Sequence, residues 1–143
     1  IPLCKGVFMA SRKILIVDGQ GGRIGKQLIE AVRAACPADQ ILAVGTNSLA
    51  TAAMLRANPD QAATGENAVV VACRSADVIL GPVGLVIADA LLGEITPAMA
   101  AAIGRSPARK ILIPMSKCDI TIVGTEGLSL QSLLDQAVAA LTK

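Results

Sequence analysis

The stretch from Lys13 to Val32 binds this chain most tightly to one kind of fold. Lys13-Ile-Leu-Ile-Val17 is a short, unbroken apolar run, the form of a strand buried on both faces of a parallel sheet. Asp18-Gly-Gln-Gly-Gly-Arg-Ile-Gly25 follows at once, and Ile24, Leu28, Ile29 and Val32 then recur at helical spacing up to Pro37. A buried strand, a glycine-rich turn and an amphipathic helix in direct succession open a β-α-β unit, which returns through a right-handed crossover to a parallel neighbour.

The alternation continues along the chain. Ile41 to Val44 reads as a second strand, and Asn47 or Ser48 caps a helix to Arg56 that stops before Asn58-Pro59. Ala62-Ala63 is a short third strand, Thr64 caps a helix from Gly65 to Ser75, and Asp77 to Leu80 is a fourth strand. Gly81-Pro-Val-Gly84 breaks the chain, an apolar helix is expected to run on to Leu92, and Thr96-Pro97 opens another. Lys110 to Ile113 and Asp119 to Val123 read as strands five and six, and Leu130, Leu133, Leu134, Ala137, Val138 and Leu141 stripe a C-terminal helix. The expectation is an α/β, three-layer doubly wound Rossmann-like fold on a mainly parallel sheet of five to six strands. Residues 11–143 read as one domain, and residues 1–10, in which Met9 reads as a natural start, as a flexible or non-native tail.

Composition narrows the chemistry. A chain of 143 residues leaves no room for a dedicated substrate domain, and 53% hydrophobic against 17% charged residues supplies a real core. The 13 Lys+Arg and 11 Asp+Glu are scattered, so no stripe for nucleic acid is visible. There is no His, Trp or Tyr and a single Phe, which excludes a His-based triad, a His metal site, a catalytic Tyr and an aromatic platform for bases. Cys4, Cys36, Cys73 and Cys118 show neither C-x-x-C nor a dense disulfide framework, which fits a reducing cytoplasm, and without His they give no support for a metal. The longest apolar run, Val78 to Gly93, contains Pro82 and Asp89 and falls short of the ~20 residues of a membrane span. A mean hydropathy of +0.61 points to an apolar contact between copies and hence to a homo-oligomer. Asp89 and Glu94, on either side of Leu91-Leu92, read as surface acids or as the polar rim of such a contact.

Ligands of doubly wound sheets bind beyond the carboxyl ends of the strands, and there the polar and glycine residues gather. Gly19 allows the sharp turn, Gly21 and Gly22 allow an oxyanion to approach backbone N–H groups, and Gly25 allows the helix to pack on the sheet. Thr46 and Asn47 after strand two are neutral partners for a phosphate or ribose, and Gly81 and Gly84 line the same edge after strand four. Asp18 is placed either to hold Mg²⁺ or a sugar, or to bond the loop's own N–H groups. Arg23 is placed to clamp a phosphate or to lie solvated. Glu66 is the candidate for ribose or substrate contact, with helix capping by Thr64 and Asn67 the plain structural alternative. Cys118, beside Lys117, is a candidate thiol nucleophile or a small apolar filler, and Cys36 and Cys73 read as filler.

Gly19, Gly22 and Gly25 fit the G-x-x-G-x-x-G loop of extended short-chain dehydrogenases, and Gly19 to Ile29 resembles the nucleotide loop of dihydrodipicolinate reductase. The resemblance implies NAD or NADP, with the pyrophosphate on the backbone of Gln20, Gly21, Gly22, Arg23 and Ile24. Neither reaction carries over. The reductase's second domain and its His-rich segment are missing, and the dehydrogenases' Tyr-x-x-x-Lys cannot exist without Tyr. Nor does the end of strand two, Gly45-Thr-Asn-Ser48, offer the ribose-binding acid of a dinucleotide site. Over its length the chain resembles a small family of uncharacterised bacterial proteins, through Asp18 to Gly22, Gly45 to Thr51, Ala63 to Ala68, Leu92 to Pro97 and Ile111 to Pro114. That resemblance implies a Rossmann-like domain and no mechanism. The reading is a binder of a small phosphate-bearing nucleotide or cofactor, NAD or NADP first. A non-enzymatic regulatory or assembly module, and a small thiol or phosphoryl transfer enzyme using Asp18 or Cys118, are its alternatives.

Overall fold

The computed structural model describes residues 11–115 and 120–143. Five strands alternate with helices: β1 (Lys13–Asp18), α1 (Arg23–Ala35), β2 (Gln40–Gly45), α2 (Ser48–Leu55), β3 (Gln61–Thr64), α3 (Glu66–Ala72), β4 (Val78–Pro82), a 3-10 turn (Val83–Val86), α4 (Pro97–Arg105), β5 (Arg109–Ile113) and α5 (Leu130–Leu141). Every pairing is parallel, in the order β3-β2-β1-β4-β5. This is the expected doubly wound α/β Rossmann-like fold. The chain steps outward from β1 to β3, then crosses through α3 to lay β4 on the other side of β1. That reversal splays the connections apart at the carboxyl ends of β1 and β4 and opens the crevice where such folds take ligands.

The apolar run of β1 is fully buried because its alternate side chains feed two layers. Ile14 and Ile16 join Leu28, Ile29 and Val32 of α1, Met54 of α2 and Val138 and Leu141 of α5. Leu15 and Val17 join Val69 of α3, Ile95 and, from α4, Met99 and Ile103. The helices thus cover both faces, α1, α2 and α5 on one and α3 and α4 on the other. At the amino edge Arg12 ties three elements together. Its Nε and Nη2 donate to Asp39 Oδ2 at 3.0 and 2.7 Å, just before β2, and its Nη1 donates to the Leu141 carbonyl of α5 at 2.9 Å. Among the described residues no helix is long and apolar enough to cross a membrane.

Four local expectations need correction. The apolar helix expected up to Leu92 is only the 3-10 turn Val83–Val86, followed by turns through Glu94. The left-handed backbone at Asp89 (φ 66), Leu91 (φ 57), Leu92 (φ 57) and Gly93 (φ 88) prevents a helix there. The expected sixth strand does not form over residues 120–123, and Asp119 lies outside the described residues. Gly65, not Thr64, is the N-cap of α3, with φ 103 and ψ 177, and the Thr64 hydroxyl is instead 2.7 Å from that of Thr51. That helix also ends early, at Ala72. Finally, Cys73 is the buried free thiol expected of a filler, whereas Cys36 is disulfide-bonded.

Candidate functional site

The glycine loop from Asp18 to Gly25 lies at the carboxyl end of the central strand β1 and is braced from below. Asp18 is only 5% exposed. Its Oδ1 accepts the Gly19 N–H at 2.8 Å and its Oδ2 accepts the Gly25 N–H at 2.7 Å. Both carboxylate oxygens therefore hold the two ends of the loop. Burial pushes this carboxyl above its ordinary range against the pull of the Gly25 and Gly19 N–H groups, and the nearby charge of Glu94 pushes the same way.

The glycines have distinct jobs. A Cβ on Gly22 would stand 2.5 Å from the Ala50 carbonyl oxygen, and Gly22 has φ 71, so it lets the loop press against α2 in a left-handed turn. A Cβ on Gly25 would meet Met54 Sδ at 2.5 Å, which explains how α1 packs so close. Gly21 has nothing among the described residues, beyond its own chain neighbours, within 4 Å of that position. It is the open face of the loop. The N–H groups of Gly21 and Arg23 have no acceptor among the described residues, and Arg23 is exposed at the first turn of α1.

Beside this open face sits an acid from a distant part of the chain. Glu94 Oε1 accepts the backbone N–H of Gln20 at 2.9 Å, the Thr46 hydroxyl at 2.7 Å and Asn47 Nδ2 at 2.6 Å. Asn47 is held for this by its own bonds. Its Oδ1 caps α2 by accepting the Ala50 N–H at 2.9 Å, and its Nδ2 also donates to the Gln20 carbonyl at 3.0 Å. Burial raises the Glu94 carboxyl, but the Gln20, Thr46 and Asn47 donors together hold it below its ordinary value. An ionised oxyanion with one backbone and two side-chain donors is the coordination that a phosphate oxygen takes in an anion site.

Gly19, Gln20, Thr46 and Asn47 thus come together around one oxygen atom, with Asp18 beneath the loop. The other sequence candidates lie apart. Gly81 and Gly84 are buried: a Cβ on Gly81 would strike Leu85 and the Val17 carbonyl, both at 2.4 Å, and one on Gly84 would approach Ala90 Cβ at 3.3 Å. Their bare backbone serves packing beneath the segment that carries Glu94. Glu66 is exposed at the start of α3, where its Oε1 accepts the Thr96 hydroxyl at 2.6 Å. Ile24 is half-buried against the core. Cys118 lies outside the described residues. Glu94 itself went unrecognised as part of the site. Its partners are 47, 48 and 74 residues away; the available signal was an acid missing from the end of β2 and, with Asp89, one of two acids in an otherwise apolar stretch.

Cavities among the described residues lie away from this arrangement. One of about 370 Å³ lies at the opposite, amino-terminal edge, lined by Lys13, Gln40, Asp60 and Ser75 among others. The switch-point crevice itself is filled by the chain's own Leu91 and Glu94, both within 3.1 Å of where a Gly19 Cβ would be.

No curated protein sequence matches the chain. A dodecameric FMN-dependent UbiX-like decarboxylase from Escherichia coli O157:H7 is similar in structure, with 14% identity, 90% of this chain and 92% of that chain covered and a TM-score of 0.49. A Thermotoga maritima protein assigned as an alcohol dehydrogenase has 13% identity, with 94% of this chain and 38% of that chain covered and a TM-score of 0.50. A universal stress protein solved in complex with cAMP has 22% identity, with 75% of this chain and 100% of that chain covered and a TM-score of 0.45. At such identities the likeness is one of fold. The family model for a domain of unknown function, DUF3842, matches residues 13–143, and the chain belongs to that family.

Proposed function

We propose that this protein binds a phosphate-bearing nucleotide or cofactor at the Asp18 to Gly25 loop, with NAD or NADP the first candidates. One observation carries the reading. Gln20 N–H, Thr46 and Asn47 already hold an oxyanion, the Glu94 carboxylate, at the carboxyl edge beside the switch point. Gly21, with no atom near its Cβ position, gives a phosphate room to approach, and Arg23 adds the one positive charge of the loop.

The experiment is a thermal-shift panel of NAD, NADP, FAD, ATP, CoA and phosphate on the wild-type protein and on Gly21→Asp. A specific ligand at 100 times its dissociation constant should add ~2.7 kcal/mol. Gly21→Asp places a carboxylate at the open face without a clash, so it should abolish the shift while leaving the free protein's midpoint nearly unchanged. A variant that binds as well as the wild type would refute the assignment.

That the crevice is occupied by the chain's own acid favours binding and signalling over turnover, a regulatory module whose partner affinity follows its ligand. Exposed Leu49, Leu92 and Val123 support self-association as the readout of such a module.

A further inference from the structure

We propose that the segment from Ile87 to Ile95 is a latch over this anion cradle, and that a ligand's phosphate enters by expelling the Glu94 carboxylate. The inference rests on the cradle being the ligand's phosphate site, and it adds how that site is controlled. Two independent features carry it.

The first is chemical. Glu94 does not line the cradle; it uses the cradle's donors. Its Oε1 takes Gln20 N–H, the Thr46 hydroxyl and Asn47 Nδ2, so a phosphate oxygen can reach those donors only after the carboxylate has left. While Glu94 stays, an entering phosphate also faces its negative charge at contact distance, with that of Asp18 beneath. The two anions are competitors for one place.

The second is conformational. The segment that delivers Glu94 holds three non-glycine residues in the left-handed region, Asp89, Leu91 and Leu92, and then Gly93. Strain of this kind persists only where the surroundings over-determine it, and it concentrates in clamps and switches. Here the surroundings are the segment's own turns, with the Gly93 N–H on the Asp89 carbonyl at 3.0 Å and the Glu94 N–H on the Leu91 carbonyl at 3.2 Å, and a few packed side chains. The Asp89 N–H reaches the Ile95 carbonyl at 2.7 Å, the Ile95 N–H reaches the Ala90 carbonyl at 3.1 Å, and Ala90 and Ile95 are the buried anchors. Between the anchors, Leu91 rests on bare Gly19 and Leu92 is 97% exposed. The Glu94 bonds, together with the Leu91 contact on Gly19, join this strained stretch to the glycine loop and to the end of β2. Once a ligand takes those donors, the polar part of this tie is lost, and the segment is held only by its own turns and by the packing of Leu91.

The test follows the Gln20 amide by ¹H–¹⁵N NMR while inorganic pyrophosphate is added to the wild type, Glu94→Ala and Glu94→Gln. Glu94→Gln keeps the shape and the acceptor oxygen without the charge, and so guards against a folding defect in Glu94→Ala. Pyrophosphate should move the Gln20 amide in all three. Its dissociation constant should fall by about tenfold or more in Glu94→Ala, with Glu94→Gln between. In a chain that otherwise has no Trp, Leu92→Trp supplies a reporter on the latch. Its emission should change on adding pyrophosphate to the Glu94 protein and should start from the changed value with Glu94→Ala. Equal affinity in wild type and variants would overturn the latch while leaving the anion site standing. Weaker binding in Glu94→Ala would also overturn it, by making Glu94 a partner of the ligand. No response of the Gln20 amide in any of the three proteins would overturn the anion site itself.

Discussion

Replacing Gly22 by alanine should cost this protein a large part of its stability, whereas the same change one residue earlier should cost almost nothing. At Gly22 the new Cβ meets the Ala50 carbonyl oxygen at 2.5 Å, Ala50 Cα at 2.8 Å and its carbonyl carbon at 3.0 Å. All three are backbone of α2, whose first turn is held by the Asn47 cap, so no side chain can swing aside. The backbone at φ 71 adds ~1–2 kcal/mol for leaving glycine in a left-handed conformation, and overpacking against a fixed backbone adds ~1–3 kcal/mol. The sum is roughly 2–5 kcal/mol, a fall in midpoint of about 8–20 °C at roughly 4 °C per kcal/mol. At Gly21 none of the described residues beyond its chain neighbours comes within 4 Å of the new Cβ, so alanine there should stay within about 0.5 kcal/mol of the wild type. With neither Trp nor Tyr in the chain, urea and thermal unfolding are best followed by far-ultraviolet circular dichroism. Equal stabilities for the two variants, or a larger loss at Gly21, would refute the division of the loop into a packed side and an open side.

Two further outcomes follow from the charges and the surface. Asp18 should titrate above 3.8 and Glu94 below 4.5 when their carboxyl carbons are followed by NMR. By linkage, the stability that Glu94 contributes is present above 4.5 and is lost as the pH falls through its lowered folded value. Asp18 has the opposite sign: its contribution is greatest below 3.8 and is lost as the pH rises through its raised folded value. The stability gap between wild type and Glu94→Gln should therefore narrow on acidification below 4.5, and a constant gap would contradict the assignment. Light scattering should return a multiple of the 14.5 kDa chain mass at micromolar protein, and a monomer would remove self-association from the reading.

The parts of this molecule that were legible in the sequence are those written in contiguous residues. The β1 run, the glycine turn and the α1 stripe follow one another directly, and Asn47 and Thr96-Pro97 cap their helices as the residue types demand. Where the outcome hangs on distant contacts, local reading failed. Ala-rich, Leu-rich residues 84–92 have helical composition, yet burying Ala90 and Ile95 and seating Glu94 beside Gln20 force them into left-handed turns. Thr64 has the residue type of an N-cap, but its hydroxyl is taken by Thr51 from the neighbouring helix. The position of the loop was legible for the same reason as the fold. Its occupant was not, since no periodicity or motif links Glu94 to Gln20.

The order of these residues along the chain gives the cradle a history as well as a shape. Gln20, Thr46 and Asn47 are made first, and Glu94 follows Asn47 by 47 residues. At ~5–20 residues per second, the donors leave the ribosome roughly 2–9 s before their own acceptor. Through that interval Glu94 is not yet there to accept from them. The bonds from Gln20, Thr46 and Asn47 to Glu94 therefore belong to the long-range part of the fold, closed only after the strand that pairs with the far side of β1 has been made.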